Sequence, residues 1–118
     1  MLAAKGTRMI NDTLEKIEAR LRSAESVPDS RRQELIELVG TLRKEIHELS
    51  KTDQEQAQSI AGFAQVSAHE ATRKEPNPDL VELSLNGLSG SVVGFEKSHP
   101  RLVQIVNTLS TTLSNLGI

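Results

Sequence analysis

The residues of this chain best equipped for chemistry are three histidines and the carboxylates beside them: His47 with Glu45 and Glu48, His69 with Glu70, and His99 with Glu96 nearby. An imidazole and a carboxylate held together can ligate a divalent metal or pass a proton. Both jobs need the groups on one side of an element. Ligands on one helix face sit three or four residues apart, as in the HExxH arrangement, whereas His47 and His69 each lie next to a Glu and point elsewhere, and His99 before Pro100 reads as a helix-start device. The spacing therefore predicts solvated or capping histidines, with no catalytic residue, no metal site and no cofactor. Zero cysteines remove thiolate chemistry, and the absence of Trp and Tyr leaves few side chains for a polar pocket.

The elements that would have to position any site are far more legible. Bulky apolar residues recur in one 4, 3, 4, 3 step in four stretches: Ile10 to Ala24, Leu35 to Leu49, Val81 to Phe95 and Leu102 to Leu116. That step draws an apolar seam along one side of a helix, the side used when helices pack nearly parallel. The fold class follows: all-α, about five amphipathic helices, built as an antiparallel helical hairpin and bundle with coiled-coil-like seams. With 118 residues, 36% hydrophobic and 25% charged, the chain has the balance of one folded domain.

Chain punctuation supplies the boundaries. Residues 1–8 precede the first seam and lack the apolar run of a signal peptide, so a disordered extension is expected there, followed by a single helical domain over 9–118. Asp12 with Glu15 reads as a capping box for a first helix ending near Ala24. Ser26-Val27-Pro28-Asp29 breaks the chain, Ser30 with Gln33 offers the next cap, and the charged hairpin 9–50 results. Thr52 to Glu55 is another capping box, favouring a break before an alanine-rich helix over 52–75. Glu75-Pro76-Asn77-Pro78 ends that helix, because each proline disfavours helix in the residue before it. A charge-poor helix pair fills 79–118: one helix from Leu80 to about Lys97 capped by Asn77 or Asp79, and one opened by His99 and Pro100 and closed by Gly117 with Ile118 folding back.

Several faces suggest packing or assembly. Ala57, Ala61, Ala64 and Ala68 form a row of small side chains that admits another helix closely, and Gly90 with Gly94 matches a small-xxx-small pattern. Leu109 and Leu113 belong to the last seam. The seams alone leave little margin over the entropy of ordering the chain, which predicts a homodimer pairing the alanine or glycine faces across a twofold axis. Net charge of -2 and the shortage of aromatics argue against nucleic acid. No apolar stretch is long enough to span a membrane, which favours a cytoplasmic location. The uncharged polar side of residues 102–118 leaves peripheral lipid association as an alternative, disfavoured because bulky aromatics and basic residues are missing there. No small-molecule substrate is indicated.

Phe95-Glu96-Lys97-Ser98-His99-Pro100-Arg101-Leu102 and the closing Leu113-Ser114-Asn115-Leu116-Gly117-Ile118 resemble the signature of a bacterial family of small proteins, domain of unknown function 4404. Leu14-Glu15-Lys16-Ile17, Leu35 and Leu38 are similar to the family's less distinctive opening, so the resemblance runs from Met9 onward. The alanine-rich middle, Gln54 to Glu75, departs from it by its length. The resemblance implies a bacterial helical protein with no known activity. Together with the residues, the expected function is a non-enzymatic structural or adaptor protein that binds itself and another protein through helix packing.

Overall fold

The computed structural model describes the backbone of residues 2–117 and the side chains of residues 8–116. Five helices follow one another: α1 (Leu2–Ser23), α2 (Asp29–Ser50), α3 (Gln54–Ala71), α4 (Pro78–Gly90) and α5 (Pro100–Gly117). Among the described residues there is no strand. Every seam position is buried except Ala24, Phe95 and Leu116, and these three are half-buried against the same core. The heptad step therefore selects the inward side of four helices.

α3 is the hub. It touches α1, α2, α4 and α5, and its inward side is the alanine row with Ile60. Small side chains let neighbouring helix axes come close, so a helix surrounded on several sides must be thin where it is surrounded. Ser67 fits the same rule: fully buried, it donates its hydroxyl to the Ser84 carbonyl of α4 at 3.1 Å. Gln56 adds a second tie, its amide nitrogen reaching the Ser91 carbonyl at 2.6 Å.

The break between α2 and α3 is real. The Leu49 carbonyl accepts from Thr52 and Asp53, which closes α2, and the Asp53 carboxylate then accepts from the Gln56 amide at 3.1 Å. Asp53, not Thr52, is thus the cap. At α4 the cap is Asn77, whose side-chain oxygen accepts from Asp79 and Leu80.

Several expected boundaries move. Residues 2–8 belong to α1, so Asp12 lies within a helix that began earlier instead of capping one. α2 starts at Asp29 behind Pro28 with no side-chain cap, and Ser30 has no such role. Arg32 organises that corner instead, donating to the carbonyls of Ala24 at 2.7 Å and Val27 at 3.0 Å while pairing with Asp29. Lys and Arg near helix ends commonly satisfy the last carbonyls in this way.

α4 ends at Gly90, well short of Lys97. Gly87, Gly90 and Gly94 weaken helix there, and Gly94 takes φ +98°, a conformation that side chains with a Cβ resist. Val92 and Phe95 still reach the core, but from turns, which is why the apolar step outlasts the helix. Gly117 is the last residue of α5, and the fold-back expected of Ile118 lies outside the described residues.

Candidate functional site

The three histidines do not converge. His47 is exposed on α2, and the neighbouring Glu48 is engaged by Lys51 at 3.1 Å. His69 is exposed near the end of α3, with Nε2 3.9 Å from a Glu70 oxygen, while Arg73 holds the other oxygen at 3.0 Å. His99 sits before α5, its ring meeting Phe95 edge-on with centroids 5.9 Å apart. Among the described residues no group of three or more His, Asp or Glu is placed to hold a metal ion.

The connection from α4 to α5 is built as a clip. The Glu96 carboxylate accepts from the Gly94 amide at 2.9 Å, the His99 amide donates to the Phe95 carbonyl at 2.8 Å, and the His99 carbonyl accepts from Val103 at 3.3 Å. Pro100 then occupies the first helical position, where its missing N–H costs nothing. Phe95 faces the core and His99 covers its ring, so Phe95, Glu96, His99 and Pro100 each have a visible job in turning the chain.

A family model for a domain of unknown function, DUF4404, matches residues 37–118, more than half of the chain and all of α3, α4 and α5. The chain belongs to this family. The match begins inside α2, so α1 with Leu14 to Ile17 and Leu35 of the family-like opening lie outside it, while Leu38 lies within it. No curated protein and no solved structure matches the chain. For this member of the domain of unknown function 4404 family, any working site must therefore be read from its own surface.

The faces proposed from the sequence are differently placed than expected. Ala57, Ala61, Ala64 and Ala68 are buried by the chain's own helices, as are Leu109 and Leu113, so all six are packing residues and none is open to a partner. Gly90 and Gly94 are exposed, but Gly94 is in a turn, so the two do not form a groove along one helix. Leu102, Val106, Leu109 and Leu113 leave α5 no apolar stripe for a lipid surface, and no helix among the described residues is long and apolar enough to cross a membrane.

A groove of about 490 Å³ lies beside the C-terminal ends of α1 and α3, bounded by Arg20, Ser26, Thr72 and Lys74. Its chief cation is committed to structure: Arg20 donates to Thr72 Oγ1 at 2.9 Å and to the His69 carbonyl at 3.2 Å. Such bonds tie α1 to the carbonyl end of α3, where a cation also complements the helix dipole.

What stands out is apolar and exposed. Large hydrophobic side chains are open at Phe63 (42%), Val66 (48%), Leu80 (39%) and Leu83 (68%) on the neighbouring helices α3 and α4, and also at Met9 (54%) on α1 and Val93 (71%) in the turn after α4. The Phe63 ring lies over Gly87, so closely that a Cβ at Gly87 would come within 2.5 Å of it. Leu80, Leu83 and Gly87 follow one another at helical spacing, which sets both leucines on the same flank of α4 as that ring. The sequence carried a partial signal: Phe63, Val66, Leu80 and Leu83 each lie off the 4, 3 row of their own helix, although Ile60 lies off the alanine row as well and is fully buried.

Proposed function

We propose that the protein is a non-enzymatic interaction module that works by helix packing, with the solvent side of α3 and α4 as its working surface. The observation that carries this reading is the exposed Phe63 ring over Gly87 with Leu80 and Leu83 open on the same flank of α4, and Val66 open three residues along α3. Scattered single apolar residues are ordinary on a soluble surface, but a contiguous group marks contact with another macromolecule. Its neighbours Ser59, His69 and Asn86 are exposed and polar, matching the polar rim that surrounds the apolar centre of a typical interface.

The test is a photo-crosslinking amino acid placed at Leu83, compared with one at Thr41, which is exposed on α2. Crosslinks in living cells are expected from position 83 and absent from position 41. Equal yields at both positions, or none at either, would count against the reading.

A further inference from the structure

We infer that the corner between α1 and α2 is a closed hinge: released, it straightens into one long helix, and α1 passes to the same seat on α3 of a second copy. The inference is independent of the surface on α3 and α4. It comes from a leucine at every seventh residue, Leu14, Leu21, Leu35, Leu42 and Leu49, with Pro28 standing in the one missing place. All five leucines are buried. A seven-residue repeat carried across a break keeps one side of a helix in phase, so the straightened chain presents the seams of α1 and α2 on a single side. A hairpin needs no such agreement, because its corner sets the rotation of each helix separately.

Few groups hold the bend. α2 begins with no side-chain cap, so the common local stop is missing. Pro28 supplies the stop: inside a helix it would lack a hydrogen bond and clash with the carbonyl four residues back, and it turns Val27 away from helical geometry. That carbonyl belongs to Ala24, and in the closed form Arg32 takes it at 2.7 Å together with the Val27 carbonyl at 3.0 Å. No corner residue has a positive φ, and Ala24 and Glu25 are good helix formers, so the rest of the corner can join a helix. In the exchanged pair the contacts of α1 with α2 and α3, the Arg20 bond to Thr72 among them, are remade with the second copy. Only the corner bonds of Arg32 and Ser26 are given up. Swapping an element in this way makes a dimer without a new interface. Proline disfavours the straight form by roughly a hundredfold per chain relative to alanine, which keeps the parent closed.

The experiment is mass by light scattering on the full chain and its Pro28→Ala, Pro28→Gly and Arg32→Ala variants, each refolded from low micromolar to near-millimolar concentration. Spin labels at Glu15→Cys and Glu37→Cys, both exposed positions, report the distance within a chain when labelled protein is refolded with excess unlabelled protein. Closed, the labels sit across neighbouring helices whose axes are about 10 Å apart; open, they lie about 33 Å apart along one helix. Pro28→Ala should dimerise with an association constant at least about 100-fold above the parent and show the long distance. Arg32→Ala should give a smaller rise, about 3- to 10-fold. Pro28→Gly should dimerise at least about fivefold more weakly than Pro28→Ala, because glycine disfavours the continuous helix. Far-UV circular dichroism confirms that each variant is folded. Absence of the long distance in Pro28→Ala, or in both other variants should that one not fold, overturns the inference. So does a dimer that keeps the short distance within each chain, or a Pro28→Gly dimer as tight as that of Pro28→Ala.

Discussion

The two heptad rows of α3 share a helix and a step and differ in everything else. The inward row, Ala57 to Ala71, is enclosed by neighbouring helices, and it is uniform because every position meets the same demand for a thin side chain. The outward row, Glu55, Ser59, Gly62, Val66 and His69, mixes charge, hydroxyl, glycine, valine and imidazole, and all of it but the half-buried Gly62 is exposed. A periodic step thus says that a helix has a side, while composition along the step says what that side is fitted to touch. Uniform small residues fit a crowded interior, and a mixed, largely polar row fits a solvated side.

Substitutions on the two sides should separate by size of effect. The greatest loss is expected from Ile60→Ala, which empties a fully buried site and should lower unfolding free energy by about 2 to 5 kcal/mol in urea titration. A loss under about 1 kcal/mol would mean that the inward side is not tightly packed. Next comes Ala64→Leu, where added bulk among touching helices should cost about 1 to 3 kcal/mol. A neutral result there would show that the alanine row is slack and would erase the contrast.

Asp53→Ala removes the carboxylate that accepts from Gln56 and should cost about 1 kcal/mol, read as a lower melting temperature. Gly62→Ala on the outward row should go the other way. Its Cβ enters open space and helix propensity improves, so a gain of up to about 1 kcal/mol is expected at concentrations where the chain is monomeric. Destabilisation of that monomer would place Gly62 against something in its own chain. Val66→Ala should change monomer stability by less than about 0.5 kcal/mol, as an exposed position does.

Much of the fold was legible because burial of a helix is periodic, and period survives in a linear text. Leu14, Leu42, Leu88 and Leu113 mark inward sides without any knowledge of what lies opposite. The break at Asp53 and the cap at Asn77 were readable because their side chains bond to amides only two or three residues away. Boundaries failed where distant contacts decide. Val92 and Phe95 keep the helical step of α4 yet pack from turns, since a residue can reach the core without being helical if the backbone around Gly94 bends to bring it there. The candidate surface was only half visible. Phe63, Val66, Leu80 and Leu83 stand off their seams in the sequence, but their grouping depends on the registry of α3 against α4, which Ser67 and Gln56 set through bonds to Ser84 and Ser91.

The sequence by itself determined that this chain is helical, where four of its helices turn inward, and that its last helix opens at His99 and Pro100, because these follow from local geometry and solvent exclusion. Only the tertiary structure decided that the alanine row belongs to the interior and that the Phe63 ring lies over Gly87 on the flank of α4 that carries Leu80 and Leu83. A row of small side chains is equally suited to a neighbour in the same chain or in another, and which one covers it depends on how all five helices share the space around α3.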